Sequence, residues 1–388
     1  MNALHDVVIV GGRAAGAATA LLLARLGHDV VVVDRATFPS DTVSTHQLAR
    51  AGVVQLDRWG LLGAVLASGA PAVRQVTLSA AGTSVTRTVK HTAGVDLLVA
   101  PRRTVLDAIV LDAAVRAGAR DVTGVAVDGV RFDGAGRVCG VAGHRASGAP
   151  VSIAARYVVG ADGLRSVVAR SVTAEVLEDH GDRGAAQYAY YGGLPWHGIE
   201  LFAAERAFAG VFPTNGGEAC VWVTTPTEDA RAQRRAAPSR AAAFESLLRR
   251  AAPELADRLA RGRRTSPVAG TLRNPNIVRR AHGPGWALVG DAGYHRDPLT
   301  GHGLSDAYRD AELLAGALDR ALRGGGDAAL AEYQRRRDRA LRDVFDLTCA
   351  LAAYPPVADF VELQQQLARA LDAEAQELVS PPLVRSPR

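Results

Sequence analysis

The sequence contains very little lysine. Lys90 is the only lysine among the 45 basic residues of this 388-residue chain, so almost all of the positive charge is arginine. The formal net charge is +5, but the arginines alternate with Asp and Glu and form no basic block. Because a nucleic-acid surface needs clustered positive charge, we expect no nucleic-acid partner. The composition does not exclude an anionic small molecule as the substrate.

Cysteine is also scarce, and long apolar runs are absent. Cys139, Cys220 and Cys349 are far apart and lack the spacing of a metal site or a disulfide framework. This pattern predicts three core thiols, no metal and a cytoplasmic location. No apolar run of about 18 residues is free of Gly or charge, so we expect no membrane span. No Lys or Arg precedes the apolar N-terminal stretch, which argues against a secretory signal peptide.

The most informative stretch lies near the N-terminus. An apolar run typical of a buried strand leads into Gly11, Gly12 and Gly16, and a helix and a second buried strand follow, ending at Asp34. In a dinucleotide-binding fold the glycines allow a tight turn around a pyrophosphate, and the acid binds the ribose. Arg13 replaces the middle glycine of G-x-G-x-x-G, so its side chain either turns outward or pairs with the pyrophosphate. An ordinary buried βαβ unit is the alternative.

Two later stretches also combine a strand end, a carboxylate and the start of a helix. One strand ends just before Asp162, and a helix begins near Ser166. Another strand ends at Asp291, and a Gly-bearing loop over 298–303 precedes a helix over 304–318. The positive N-terminal end of each helix would stabilise an anion beside the carboxylate.

The region between these stretches has a different pattern. Short strand candidates separated by Gly and Pro predict an antiparallel sheet over 181–275, and 226–264 reads as a charged pair of helices. Such a sheet is a natural wall for a substrate pocket. Its aromatic residues are pocket candidates: Tyr188, Tyr190, Tyr191, Trp196, Phe202, Phe208, Phe212 and Trp222.

The remainder of the chain reads as helical from Asp327. It carries a face of four arginines that we expect to be solvated, and the terminal PPLVRSPR is expected to be loose. The four are Arg335, Arg336, Arg337 and Arg339.

In this order and spacing, the three stretches resemble those of the FAD-dependent aromatic hydroxylases, the single-component flavoprotein monooxygenases of the para-hydroxybenzoate hydroxylase type. That family carries a GxGxxG turn, a DGxxSxxxR motif, and a GD motif followed by Pro-x-x-Gly-x-Gly and an Asp-Ala pair. The resemblance covers nearly the whole chain. The matching residues are Gly11, Gly12, Gly16, Asp162, Gly163, Ser166, Arg170, Gly290, Asp291, Pro298, Gly301, Gly303, Asp310 and Ala311.

The resemblance implies an α/β fold. A Rossmann-like FAD-binding domain of the glutathione-reductase type would be interleaved with an antiparallel-sheet substrate domain and followed by a C-terminal helical segment. The implied segments are 1–72, 101–180 and 276–325 for FAD, 73–100 and 181–275 for the substrate, and 326–388 for the helices. This family lacks a second nucleotide domain for NAD(P)H, and none is visible in the sequence.

By the same resemblance, most site residues hold FAD. The glycine turn packs on the pyrophosphate, Asp34 binds the adenosine ribose, and Arg103 lies near the ribityl-phosphate portion. Asp291 binds a ribityl hydroxyl, while Asp162 acts at the cofactor and in NAD(P)H binding. The amides after Pro298 face the N1 and C2=O edge of the flavin, where the reduced ring is negative. The full set is Gly11, Gly12, Arg13, Ala15, Gly16, Asp34, Arg35, Arg103, Asp162, Gly290, Asp291, Pro298, Gly301, His302 and Gly303.

The implied chemistry belongs to the cofactor. NAD(P)H reduces FAD, O2 adds at flavin C4a, and the hydroperoxide hydroxylates or epoxidises a small aromatic, phenolic or secondary-metabolite substrate. The protein must keep the pocket dry and can supply a base for a phenol; the candidates are His46, Tyr294 and His295. Tyr294 stands where the family often has a histidine, and Ser305 stands where an asparagine is common.

Other functions stay open. Geranylgeranyl-reductase-like proteins reduce double bonds instead of oxygenating, and the Arg13 variant is compatible with them. A carrier that binds FAD or a ligand without turnover would show no NAD(P)H-dependent flavin bleaching. Flavin halogenases carry a WxWxIP signature and a working lysine, which the segment 194–199 and Lys90 do not match.

Overall fold

A computed structural model describes residues 4–44 and 46–378. Within them the strands are β1 (Leu4–Val10), β2 (Val30–Asp34), β3 (Gln75–Ala80), β4 (Thr83–Thr88), β5 (Arg120–Thr123), β6 (Val125–Phe132), β7 (Val138–Arg145), β8 (Pro150–Gly160), β9 (Val176–Asp182), β10 (Gly184–Gly192), β11 (Ile199–Ala204), β12 (Ala207–Pro213), β13 (Ala219–Pro226), β14 (Arg263–Arg264), β15 (Ala269–Thr271), β16 (Pro275–Arg279), β17 (His282–Gly283), β18 (Trp286–Leu288) and β19 (Tyr294–His295).

The α-helices follow the predicted succession along the chain. They are α1 (Ala14–Arg25), α2 (Arg50–Arg58), α3 (Leu62–Ala67), α4 (Arg103–Arg116), α5 (Val167–Ser171), α6 (Thr227–Ala236), α7 (Arg240–Ala251), α8 (Pro253–Leu259), α9 (Gly303–Arg320), α10 (Ala328–Leu351) and α11 (Val357–Glu377). None of the helices in the described residues combines the length and apolar character needed to cross a bilayer.

The first sheet is built around β1. Its strand order is β17-β18-β8-β1-β2-β5, and β1 is parallel to both β2 and β8. Residues from α1, α4 and α9 pack on one face, while β6, β7 and α5 cover the other. This two-sided burial explains why the strands are continuously apolar. Because β1, β2, β8 and β18 run parallel, their carboxyl ends meet at one edge of the sheet.

The second sheet is mainly antiparallel, with the order β14-β10-β13-β12-β11-β3-β4. Side chains alternate between its faces, so Tyr188 and Tyr190 pack on the α10 and α11 side, whereas Tyr191 packs against α7 and α8. A small third sheet has the order β19-β16-β9. Strands of the first two sheets are interleaved along the chain, and the predicted α/β class with C-terminal helices is confirmed. The domain boundaries stay a prediction.

Several local expectations were wrong. The region 226–264 holds three helices, α6 to α8, instead of two. Cys139 and Cys349 are only half-buried, in contrast to the buried Cys220. The terminal PPLVRSPR lies outside the described residues.

The expectation that Arg337 faces solvent was also wrong. Its side chain is fully buried, with Nη2 donating to the Arg279 carbonyl and an ion pair to Asp338. Four arginines at consecutive or alternate positions cannot share one helix face, because each residue advances the side chain by about 100°. Arg337 falls on the same stripe as the buried Tyr333 and Leu341, one turn away on either side.

Candidate active site

A cavity of about 610 Å³ opens at the carboxyl edge of the first sheet. It is lined by Gly11 after β1, Asp34 at the end of β2, Asp162 after β8 and Asp291 after β18. A crevice outside the carboxyl ends of parallel strands is where open α/β sheets bind ligands, and the volume is in the range of a ligand site.

Thirteen of the fifteen residues predicted to bind the cofactor line this cavity. They are Gly11, Arg13, Ala15, Asp34, Arg35, Arg103, Asp162, Gly290, Asp291, Pro298, Gly301, His302 and Gly303. The other two, Gly12 and Gly16, are not in the lining, but a Cβ at Gly12 would approach Asp34 and one at Gly16 would approach Gly11, both of which are. Sequence positions that are up to 292 residues apart are thus brought to one cavity.

The glycine turn has no room for side chains at two of its positions. Gly11 has a φ of +104°, and a Cβ there would lie 2.5 Å from the carbonyl oxygen of Ala161. A Cβ at Gly16 would lie 1.8 Å from the carbonyl oxygen of Gly11. Helix α1 therefore starts in direct contact with the turn, and no side chain caps its N-terminus or places an acid in its first turn. Such a helix end suits a pyrophosphate.

Asp34 is held in place by backbone amides. Its Oδ2 accepts a hydrogen bond of 2.7 Å from the Gly12 amide, and its Oδ1 accepts one of 2.8 Å from the Ala36 amide. The carboxylate therefore stands at the cavity edge with its orientation set by the glycine turn. This arrangement fits a ribose that donates to the remaining acceptor positions.

Arg13 lines the cavity, and its guanidinium is engaged with neighbouring protein groups. Its guanidinium donates to Ser40, to the Asp41 carbonyl and, at 3.0 Å, to Asp107 Oδ2. Asp107 is fully buried and also accepts from Arg103 Nε at 3.0 Å. One carboxylate therefore joins the two arginines beside the cavity. A contact between Arg13 and a pyrophosphate stays a prediction.

Asp162 presents an unsatisfied acceptor. Its Oδ2 accepts a 2.6 Å bond from the Val167 amide, whereas its Oδ1 is buried and has no partner among the described residues. Burial raises the pKa of Asp162, with the hydrogen bonds from Ser166 and Val167 acting in the opposite direction. A ligand hydroxyl would satisfy Oδ1.

The loop over 298–302 forms another wall of the cavity. Gly301 has a φ of +68°, and a Cβ there would lie 2.6 Å from Gln47 Oε1. Helix α9 follows directly, and no side chain caps its N-terminus. Ser305, which replaces the family's common asparagine, accepts from the Ala49 amide at 3.2 Å, and a Cβ at Gly52 would lie 2.8 Å from its Oγ. The small serine lets α2 pack closely on α9.

The glycine turn, the two uncapped helix ends and the orphan oxygen of Asp162 fit FAD. Gly11, Asp162 and the residues at the start of both helices line the same cavity.

The three predicted catalytic candidates line the same cavity, and each has one polar atom engaged in a hydrogen bond, whereas His46 Nδ1 is buried without a partner among the described residues. His46 Nε2 bonds to the Tyr190 hydroxyl, and burial, followed by the nearby Arg103 and Arg102, lowers the pKa of His46 to about 3. His46 is therefore neutral at physiological pH.

Tyr294 and His295 are engaged in a comparable way. The Tyr294 hydroxyl accepts from Arg309 Nη2 at 2.7 Å, and burial raises its pKa well above 10. His295 Nδ1 donates to the Pro275 carbonyl at 2.7 Å, so in the neutral ring Nε2 is the acceptor. The catalytic assignments stay predictions.

A second cavity, of about 170 Å³, lies across the 298–302 loop from the first. Both cavities are lined by the same part of that loop and by Gln47. The remaining wall of the small cavity is mainly apolar, formed by the second sheet and α11. Of the predicted aromatic candidates, Phe208, Phe212 and Trp222 line it.

Sequence reasoning missed two aspects of the small cavity. His302 was predicted only as part of the cofactor loop, yet it lines both cavities, and Gln364 of α11 was not singled out at all. The signal for His302 was present in its position between two loop glycines. No local pattern distinguishes Gln364 from other polar residues of α11.

A buried ionic network lies on α9, next to the cofactor loop. Arg309 bonds to Asp306, Asp310 and Glu374 at 3.0–3.1 Å, and Arg296 forms a second ion pair with Asp306. Glu374 belongs to α11, so the network ties this helix, which covers the small cavity, to the helix that follows the loop.

A carboxylate at the start of the loop predicts a pH effect. Asp297 is almost fully buried, its Oδ1 accepts from the Leu299 amide at 3.0 Å, and its Oδ2 has no partner in the described part of the chain. Burial raises the pKa of Asp297 from 3.8 to about 6. The folded protein thus retains a proton that the unfolded chain releases, so the favourable contribution is present below pH 4 and is lost as the pH rises through 6.

Asp297→Asn should therefore be neutral at pH 4 and stabilising above pH 7, by roughly 2–3 kcal/mol, because the amide keeps the Leu299 bond without a charge. Thermal unfolding from pH 4 to 8 measures the effect. Asp96→Asn is the control, since Asp96 is exposed and Arg74 lowers its pKa. A difference between Asp297→Asn and the wild type that is constant with pH would contradict the prediction.

Comparison with known proteins agrees with this geometry. A family model described as FAD binding domain matches residues 5–348. Protoasukamycin 4-monooxygenase of Streptomyces nodosus subsp. asukaensis is 30% identical, over 90% of this chain and 88% of that protein. Digeranylgeranylglycerophospholipid reductase 1 of Methanopyrus kandleri is 29% identical, over 93% of each. The crystal structure of pqsL, a probable FAD-dependent monooxygenase from Pseudomonas aeruginosa, matches with a TM-score of 0.78 and 25% identity, over 95% of this chain and 100% of that one.

The chain belongs to the FAD-binding domain family. It is a FAD-dependent oxidoreductase, and the predicted resemblance to the flavoprotein monooxygenases is confirmed.

Proposed function

We propose that this chain uses NAD(P)H and O2 to hydroxylate or epoxidise a small aromatic, phenolic or secondary-metabolite substrate. The observation that carries the proposal is the small apolar cavity, which shares Gln47 and residues of the 298–302 loop with the lining of the FAD cavity. When bound, FAD accepts a hydride from NAD(P)H and activates O2. One oxygen atom would enter the product and the other would leave as water. The free cysteines are compatible with the cytoplasmic location that belongs to the same proposal.

The residues of the large cavity would bind and orient the cofactor. The glycine turn and the start of α1 would hold the pyrophosphate, Asp34 the ribose, and Asp162 and Asp291 further hydroxyl groups. The uncapped N-terminus of α9 would stabilise negative charge on the flavin edge that faces the 298–302 loop.

The small cavity would exclude water from the reacting atoms. Phe208, Phe212 and Trp222 of the second sheet face Leu367 and Leu371 of α11 across it. An apolar wall of this kind limits the competing loss of activated oxygen to water. Of the proposed bases, His295 has no hydrogen bond recorded at Nε2, whereas His46 Nε2 bonds to Tyr190 and the Tyr294 hydroxyl accepts from Arg309; His46 Nδ1 is buried and has no partner among the described residues.

Double-bond reduction is the second candidate, because a digeranylgeranylglycerophospholipid reductase is among the relatives. The volume of about 170 Å³ favours a compact molecule over a long isoprenoid chain. A carrier without turnover is the third candidate, and it requires a flavin that NAD(P)H does not reduce.

Anaerobic mixing of the purified flavoprotein with NADPH or NADH tests the proposal. We expect the flavin absorbance to bleach, and to bleach at least several-fold faster with a substrate-like phenol present. With O2, the same phenol should yield a product heavier by one oxygen atom, and the atom should derive from 18O2. Bleaching without oxygen incorporation, coupled to saturation of an alkene, would instead support the reductase. A flavin that never bleaches would leave only the carrier.

A further inference from the structure

Three buried polar atoms without partners belong to residues that line the small cavity. They are Nε2 of His302, Nε1 of Trp222 and Nε2 of Gln364, and none of them has a hydrogen-bond partner among residues 4–44 and 46–378. Buried polar groups in native proteins are nearly always paired. Three orphans in the lining of one apolar cavity indicate that a ligand supplies the missing partners.

The donor and acceptor character of each atom follows from its chemistry. An indole Nε1 and an amide Nε2 can only donate. His302 Nδ1 bonds to the Thr300 carbonyl, which can only accept, so Nδ1 carries the proton and Nε2 is an acceptor. Burial, followed by the charge of Arg296, lowers the pKa of His302 to about 4, so the imidazole is neutral.

The cavity offers no counter-charge. Among the described residues that line it, none is Arg, Lys, Asp or Glu. Burying an unpaired carboxylate in such a lining is far more costly than burying a neutral carbonyl that accepts a hydrogen bond. The lining therefore disfavours a phenolic acid and favours an uncharged ring.

The position of His302 sets the orientation. Of the three orphan residues, only His302 also lines the FAD cavity. A hydroxyl that donates to its Nε2 would lie at the boundary between the two cavities, next to the flavin. The ring carbon beside that hydroxyl is electron-rich and would be nearest the reacting oxygen.

We propose that the small cavity binds an uncharged aromatic substrate with a carbonyl acceptor for Trp222 and Gln364 and a hydroxyl donor for His302, the hydroxyl facing the FAD cavity. This inference rests on the proposed function, because the bound ligand is a substrate only if the protein is a monooxygenase. Trp222 and Gln364 act here as binding residues, and His302 acts as a residue that positions the hydroxyl.

Four ligands of the flavin-loaded protein test it. They are 4-hydroxybenzamide, 4-hydroxybenzoate, benzamide and phenol, and the readout is the dissociation constant from the perturbation of the visible flavin spectrum at pH 8. We expect 4-hydroxybenzamide to bind at least tenfold more tightly than its carboxylate analogue. It should also bind several-fold more tightly than benzamide, which lacks the hydroxyl, and than phenol, which lacks the carbonyl.

Variants separate hydrogen bonding from packing. The double variant Trp222→Phe/Gln364→Leu keeps the apolar volume and removes both donors, so it should weaken 4-hydroxybenzamide about tenfold and phenol less than twofold. Trp196→Phe is the matched control, because Trp196 lies on the opposite face of the sheet and donates to the Gly217 carbonyl. It should change neither affinity.

The outcomes distinguish the two proposals. Equal or tighter binding of 4-hydroxybenzoate, equal losses for both ligands in the double variant, or no binding of any ligand would overturn the inference, even if NAD(P)H still bleaches the flavin. If the flavin never bleaches but the neutral ligand is preferred and the double variant removes that preference, the cavity chemistry stands and the monooxygenase proposal fails.

Discussion

Replacing Gly16 with alanine is expected to yield a protein that no longer retains FAD. The added Cβ would lie 1.8 Å from the Gly11 carbonyl oxygen and 3.1 Å from the Ala161 Cβ, so the turn between β1 and α1 has to open. A clash of this kind costs about 3 kcal/mol or more, which corresponds to a roughly 100-fold loss of affinity. The ratio of flavin absorbance to protein absorbance after purification, and FAD titration of the apoprotein, measure the effect.

Gly63→Ala is the matched control for this substitution. Gly63 lies exposed on α3, has ordinary helical backbone geometry, and a Cβ there would meet no atom within 4 Å. This variant should retain FAD as the wild type does. Circular dichroism of the Gly16→Ala apoprotein separates loss of the cofactor from loss of the fold. Full retention of FAD by Gly16→Ala would show that the turn is not the pyrophosphate site.

Removing the charge of Arg309 is expected to have the largest effect on stability. Its guanidinium is nearly buried and bonds to Asp306, Asp310 and Glu374 within 3.1 Å. Arg309→Met would leave the Asp310 and Glu374 carboxylates buried without this counter-charge. Breaking a buried ion pair from one side costs about 3–5 kcal/mol. We expect a marked drop in the midpoint of thermal unfolding and easier release of flavin, both followed by flavin fluorescence.

Arg335→Met provides the comparison for an exposed arginine. The Arg335 side chain is 64% exposed and pairs with Glu332 on the same face of α10. Exposed pairs contribute about 0–1 kcal/mol, so this variant should unfold close to the wild type. If the two arginine variants lost the same stability, the α9 network would not be the structural element that holds α11 in place.

The two variants also report on different parts of the site. Gly16 lies in the glycine turn between β1 and α1, whereas Arg309 lies on α9, the helix that follows the 298–302 loop. If Gly16→Ala loses FAD but its apoprotein keeps the unfolding midpoint of the wild-type apoprotein, while Arg309→Met lowers that midpoint, the glycine turn acts on cofactor binding and the α9 network on stability.

The strand-turn-helix units around the cofactor site could be predicted from the sequence alone. Each depends on neighbouring residues: a continuous apolar strand, a glycine that adopts positive φ, and a helix that begins directly after it. The family resemblance implied that Gly11, Asp162 and Asp291 share the cofactor site. The structure has this arrangement, with all three residues in the lining of one cavity.

The outer parts of the site were decided by tertiary structure. Gln364 and Glu374 lie on α11, and their roles depend on how that helix packs over the second sheet and α9. Arg337 looked like a surface residue because its neighbours in sequence are, yet packing of α10 buries it. Short-range patterns carry no information on which face of a late helix meets a distant sheet.

The sequence by itself determined the fold class and, through the family resemblance of its three motifs, the FAD-binding family, because those motifs depend on local backbone conformation. Only the tertiary structure decided the small cavity, its orphan donors and acceptor, and the network behind the loop. Those features arise where side chains from β12, β13, α9 and α11 meet, and their burial, pairing and charge balance exist only once the chain is packed.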